Sequence, residues 1–128
     1  MKRITILLCV AMLVVTMAVG ATAAAVPGIT DNQVTIGAFQ DQSGAAAVVG
    51  INMRKGMEAY FNWVNAQGGV NGRKIKFIVE DDGFQAARAI AATKKLVEQD
   101  KVFALVGTLG TPGVAATIDY IMEKQIPS

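Results

Sequence analysis

The sequence predicts an α/β fold: a three-layer, doubly wound parallel sheet with helices on both faces. Three observations predict it. Short stretches rich in β-formers, Val34–Phe39, Lys74–Glu80 and Val102–Val106, alternate with stretches of helical period. Glycine, asparagine and proline punctuate the boundaries. The third strand is apolar throughout while the second alternates with charge, as a buried strand and an edge strand do.

Ahead of the first strand stands a segment of another kind. Lys2 and Arg3 precede an apolar run, Ile4 to Val19, broken only by Thr5 and Thr16. Small residues follow from Gly20 to Ala25. This order predicts a secretory signal peptide over residues 1–25, cleaved after Ala23 or Ala25 at an A-x-A site. The run is shorter than the ~20 apolar residues of a membrane span; an uncleaved anchor is the alternative. Cys9, the one cysteine, lies inside this segment and too early in it to become a lipidated N-terminus. The mature chain, residues 26–128, then has no thiol, and the sequence has no histidine. Cys/His zinc sites and Cys-His or Ser-His nucleophile pairs are excluded from it. Losing Lys2 and Arg3 leaves equal numbers of basic and acidic residues, without the basic stripe that nucleic acid would need.

The first strand, Val34–Phe39, leads into a polar loop, Gln40–Gly44. A helix is expected from about Gly50 to Gln67, with Met53, Met57, Tyr60, Phe61 and Val64 forming its apolar face. Tyr60 and Trp63 read as core or interface. Gly68-Gly69 should stop this helix, and Asn71-Gly72 should make a turn. Lys74–Glu80 is the next strand. A helix over about Gln85–Asp100 should bury Ile90, Thr93 and Val97. Val102–Val106 is the buried strand. The helix after Gly107–Thr111 should have Thr111 as N-cap, Pro112 at its first position, and Val114, Ile118, Ile121 and Met122 as its buried stripe. Ile126-Pro127-Ser128 reads as the approach to a further strand.

A wet second strand and a dry third suit the order 2-1-3. The switch point then lies between the first and third strands, and ligands bind beyond the carboxyl ends there. Two loops meet at that point, Gln40–Gly44 and Gly107–Thr111. The start of the last helix exposes amide hydrogens and carries partial positive charge, which suits a carboxylate. Gly113 and Val114 offer those N–H groups, and Thr111 can add its hydroxyl. A plainer reading leaves Thr111 as a helix cap worth ~1 kcal/mol. Ser43 can donate to the same anion, or Ser43-Gly44 is ordinary turn chemistry. Ala45–Val49 either lines a pocket or packs, with packing the simpler expectation. Glu80-Asp81-Asp82 reads as a solvated turn and helix entry in preference to a metal site. Phe84 belongs at the cleft rim or over the core. The G-x-G-x-x-G and P-loop patterns are absent.

The mature chain resembles the amino-terminal lobe of the periplasmic binding proteins for branched-chain amino acids, the leucine-binding family of type I fold. The resemblance is carried by Val34-Thr-Ile-Gly37, Ser43-Gly44, Gly50 with Arg54 and Gly56, and most specifically by Val64-Asn-Ala-Gln-Gly-Gly-Val-Asn-Gly-Arg-Lys-Ile75. Val79-Glu-Asp-Asp82, Ala92-Thr-Lys-Lys-Leu-Val97 and Val106-Gly-Thr-Leu-Gly-Thr111 continue it. It implies an incomplete lobe of a protein about three times longer, which clamps its ligand between two lobes. It implies that Ser43 and Thr111 hold a ligand carboxylate, and that Leu109 and Gly110 meet the α-amino group or line the site. Val49 stands where such proteins often have a large aromatic, which leaves room for a bulkier ligand. Ala45 replaces a usual proline, and Gln85-Ala86 a usual Asp-Pro. The implied function is the extracytoplasmic solute-binding component of an ABC transporter. It would capture an amino acid or related small carboxylate in the periplasm or outside the cell and dock to a membrane permease. Neither cofactor, metal nor enzymatic activity is expected. A sensory or regulatory ligand-binding domain of the same fold is the alternative.

Overall fold

The computed structural model describes residues 25–128. The predicted signal peptide, Cys9 included, lies outside the described residues except for Ala25. The elements alternate as expected: β1 (Gln33–Gln40), α1 (Ala47–Ala66), β2 (Lys74–Asp81), α2 (Ala86–Lys94), β3 (Ala104–Leu105) and α3 (Thr111–Glu123). A π-helical turn, Lys95–Gln99, extends α2, where a plain α-helix was expected.

The sheet is parallel, in the order β2-β1-β3. Gln33 lies beside Lys74 and Gln40 beside Asp81, so β1 and β2 match along their whole length. Ile36 pairs with Ala104 and Gly37 with Leu105. Regular β3 is shorter than predicted, yet the Phe103 N–H donates to the Thr35 carbonyl and the Val106 N–H to the Gly37 carbonyl, both at 2.8 Å. On the far side of β3 the Leu105 N–H donates to the Pro127 carbonyl at 2.8 Å. The segment read as the approach to a further strand therefore lies against β3.

Side chains alternate between the two faces of the sheet. On one face Phe39 packs with Ala89 and Ala92 of α2. Leu96, Val102, Leu105 and Ile121 form a second cluster there. Each large side chain buried in this way contributes roughly 1.5–3 kcal/mol. α1 covers the other face, where the Phe61 ring meets Phe77 edge-on at 5.2 Å. The result is three layers.

Asn65, near the end of α1, bonds both backbone groups of Ile75. Its amide donates to the Ile75 carbonyl at 2.8 Å, and its own carbonyl accepts the Ile75 N–H at 2.7 Å. A side chain thus substitutes for a neighbouring strand along part of β2. Gly68 and Gly69 stop the helix at φ 108° and 83°, where a side chain would be strained.

Several burial expectations change. Tyr60 and Trp63 are each 60% exposed and stack on one another at 5.9 Å; α1 turns them past the edge of its contact with the sheet. In α2 the buried residues are Ala89, Ala92 and Thr93, and Ile90 is exposed. In α3 they are Gly113, Thr117 and Ile121, while Val114, Ile118 and Met122 are exposed. The reason is common to both helices. An ideal Cβ on Gly113 would lie 2.9 Å from the Ala89 Cβ. So close an approach requires the smallest residues at the contact and swings the larger ones outward. Counting apolar residues favours the large ones and misplaces the stripe.

Candidate ligand-binding rim

Because β1 and β3 are adjacent and parallel, the loops that follow them emerge at the same rim. Gln40 ties the two together. It is fully buried, and its side-chain amide donates to the Gly107 carbonyl at 2.8 Å. The Leu109 N–H adds a bond to the Phe39 carbonyl at 3.1 Å. Ser43 lies on the first of these loops and Leu109 and Gly110 on the second, Thr111 opens α3 and Val49 lies in the first turn of α1; Ser43, Val49 and Thr111 are exposed. A groove of about 430 Å³ lies elsewhere, on the α1 face of the sheet, bordered by Val34, Ile36, Ala104 and Val106.

The first loop is organised by aspartates. Asp41 is fully buried. One of its carboxylate oxygens accepts the N–H groups of Ser43 and Gly44, and the other that of Ala46 at 2.6 Å. Asp81, at the end of β2, accepts the Gln42 N–H at 2.8 Å and the Gly83 N–H at 3.0 Å on Oδ1. Its Oδ2 accepts the Ser43 hydroxyl at 2.6 Å and Arg88 Nη2 at 2.7 Å. Burial alone would raise the Asp81 pKa, but the bonds from Ser43, Gln42, Gly83 and Arg88 outweigh it and hold the group well below the usual carboxylate range. Ser43 therefore donates inward, to Asp81, where an outward donor to a ligand was expected.

Asp82 is fully buried. Its Oδ1 accepts the Phe84 N–H at 3.0 Å, and its Oδ2 has no partner. Burial, with the charges of Asp41 and Asp81, raises its pKa against the opposing Phe84 bond. Oxygens of Asp41, Asp81 and Asp82 lie within 4.8 Å of one another. A metal could be sought there, but Asp41 and Asp81 already turn their oxygens to N–H, hydroxyl and guanidinium donors. Glu80 pairs with Lys95 at 2.6 Å. The Glu80–Asp82 stretch is thus no solvated turn; it fastens the rim from below. Sequence reasoning missed Gln40 and Asp41, reading them as part of a polar loop. The signal available was an aspartate two residues before Ser-Gly, the pattern of a side chain bonding the backbone just ahead of it.

α1 begins at Ala47, three residues before the expected Gly50, and so takes Val48 and Val49 into its first turn. These valines are 76% and 56% exposed, so they do not pack as expected. Gly50 permits the early start. An ideal Cβ there would lie 1.8 Å from the Asp41 carbonyl oxygen.

In the second loop the N-cap is Gly110, at φ 112°, and Thr111 is the first residue of α3. Thr111 makes no side-chain cap bond, contrary to the capping expectation. The anion seat is also narrower than expected. The Val114 N–H is spent on the Gly110 carbonyl at 3.0 Å. Gly113 is buried beside Phe39 and Asp82. Thr111 and Pro112 are exposed at the helix start, and Pro112 has no N–H to offer. Phe84, held at φ 61° and 37% exposed, lays its ring against Gly110, so it belongs to the rim.

A parallel sheet with two loops joined at its switch point is the frame at which open α/β proteins bind ligands. A family model described as periplasmic binding protein matches residues 33–128. The chain belongs to the periplasmic binding protein family, as part of a type I protein of its branched-chain amino acid group. It is 39% identical over 74 residues to an "Amino acid binding protein" of Pseudomonas aeruginosa, covering 58% of this chain and 20% of that one. A fatty acid ABC transporter substrate-binding protein from Thermomonospora curvata superposes at a TM-score of 0.72 with 31% identity, covering 78% of this chain and 25% of that one. The branched-chain amino acid transporter substrate-binding protein LivJ from Streptococcus pneumoniae, in complex with isoleucine, superposes at 0.71 with 30% identity, over 75% and 28% of the two chains. The chain thus spans 20–28% of the length of these proteins.

Proposed function

We propose that this chain is part of the amino-terminal lobe of an extracytoplasmic solute-binding component of an ABC transporter, capturing an amino acid or related small carboxylate for import. The observation that carries the reading is the convergence of the Ser43 and Thr111 loops at one rim of the sheet. The names of the three relatives support it, since amino acids, fatty acids and isoleucine share a carboxylate. On this reading Thr111 and the start of α3 receive that carboxylate. Leu109 and Gly110 floor the site, Val49 borders the ligand's apolar part, and Ser43 contacts its polar head. The chemistry is recognition without bond making, and a membrane permease is the receiving partner. The signal peptide sends the protein to the periplasm or outside the cell. Thermal-shift measurements on the full-length protein against amino acids, branched fatty acids and aromatic acids test it. A rise in Tm with at least one class is expected; no rise with any of them overturns the reading.

A further inference from the structure

The first loop turns most of its hydrogen-bond donors inward. The N–H groups of Gln42, Ser43, Gly44 and Ala46 all point at Asp41 or Asp81. The Ser43 hydroxyl has one proton, and at 2.6 Å from Asp81 Oδ2 that proton lies between the two oxygens. Asp81 has no proton to offer in return, because Arg88 and two further amides keep it ionised. What Ser43 shows to the crevice is its lone pairs, made richer by the negative charge behind them.

Resting on the transport reading above, we infer that Ser43 recognises its ligand as a hydrogen-bond acceptor, so that the ligand group meeting it is a donor such as an ammonium. A carboxylate placed against Ser43 would face lone pairs and, behind them, the Asp81 charge. The same carboxylate at Thr111 meets the positive end of α3. The two loops therefore give the site a polarity. The ligand lies across it with its donor toward β1 and its anion toward α3. Asp81 acts through Ser43 as a positioning residue, and Arg88 fixes Asp81.

The test compares pairs that differ only in the ammonium: L-leucine with 4-methylpentanoate and L-phenylalanine with 3-phenylpropanoate. Titration calorimetry on the full-length protein is expected to show Ser43→Ala losing at least tenfold in affinity for the amino acid of a binding pair, and less than twofold for its deamino partner. Equal losses for both, or a larger loss for the deamino acid, overturn the inference. Asp81→Asn frees the hydroxyl proton and should narrow the gap within each pair; an unchanged gap counts against it. A readout independent of ligand separates this inference from the transport reading. By carbon-13 NMR the Asp81 carboxyl should titrate at higher pH in Ser43→Ala than in the wild type. An unmoved midpoint sinks the inference even where ligands bind. Should no compound of the wider panel bind, the transport reading falls, and this inference with it.

Discussion

Gln40 and Gly107 are joined across the switch point by one hydrogen bond of 2.8 Å, from a fully buried side-chain amide to a loop carbonyl. That bond holds the loop after β3 at a fixed height above the end of β1. Gln40→Leu keeps much of the volume and removes the donor. The stranded carbonyl should cost about 1–3 kcal/mol of stability by urea denaturation, and ligand affinity should fall with it. A variant as stable as the wild type would show that the loop needs no such tether.

Gly50 and Gly56 lie in the same helix and should respond oppositely to alanine. A Cβ at Gly50 would collide with the Asp41 carbonyl, while one at Gly56 meets nothing within 4 Å. Gly50→Ala should destabilise by about 1–3 kcal/mol through forced backbone movement. Gly56→Ala should stabilise by roughly 0.5–1 kcal/mol. Chemical denaturation of both variants checks the pair, and a tolerated Gly50→Ala would mean that α1 starts elsewhere.

Asp81 and Asp82 are sequence neighbours with opposite effects on pH-dependent stability. The folded pKa of Asp81 is depressed. Its contribution is present above the ordinary carboxylate value of about 4 and is lost as pH falls below that value. The folded pKa of Asp82 is raised. It favours folding at pH below about 4, where both states hold the proton, and that benefit disappears as pH rises through the folded pKa. At pH 7 Asp81→Asn should therefore lower stability. Asp82→Asn removes a buried charge and keeps an acceptor for the Phe84 N–H, so it should raise stability, by on the order of 1 kcal/mol. Thermal melts between pH 3 and 8 should show the two variants diverging from the wild type in opposite directions.

Thr111→Val preserves shape at the start of α3 and deletes the hydroxyl. In the full-length protein ligand affinity should fall by about 1–3 kcal/mol. Because the hydroxyl caps nothing here, unfolding stability should stay within about 0.5 kcal/mol of the wild type. Unchanged affinity by calorimetry would remove Thr111 from the site.

Trp63 is the one tryptophan and is 60% exposed. Its fluorescence should be quenched efficiently by acrylamide in the folded protein. Trp63→Ala should change stability by no more than about 0.5 kcal/mol. A blue-shifted, unquenchable emission would bury it after all.

The sheet was legible in the sequence because its signals are strong and local. VFALV marks the third strand, though Val106 is exposed and a groove beside Ala104 leaves its α1 face partly uncovered; KIKFIVE marks an edge, and Gly68-Gly69 and Asn71-Gly72 mark breaks in the chain. The rim was legible only as a place. That Ser43 and Thr111 share it follows from strand order. Which way the Ser43 proton points depends on Asp81, far along the chain and brought alongside by the register of β1 and β2. No window of sequence contains that pairing. The helix stripes failed for a related reason. Contact between α2 and α3 is set by Gly113 and Ala89, and a hydrophobicity count gives small residues little weight.

The two borders of the sheet are chemically unlike. Along β2, Asn65 occupies the backbone of Ile75, and Lys74 and Lys76 are exposed on either side of it. A foreign β-segment approaching from that direction would have to evict an amide and confront cations. Beside β3 the Pro127 carbonyl accepts the amide of Leu105, and proline has no hydrogen to give back. Each flank of the ladder is thus guarded against a foreign strand by a different means, one by an amide and two cations, the other by the chain's own proline.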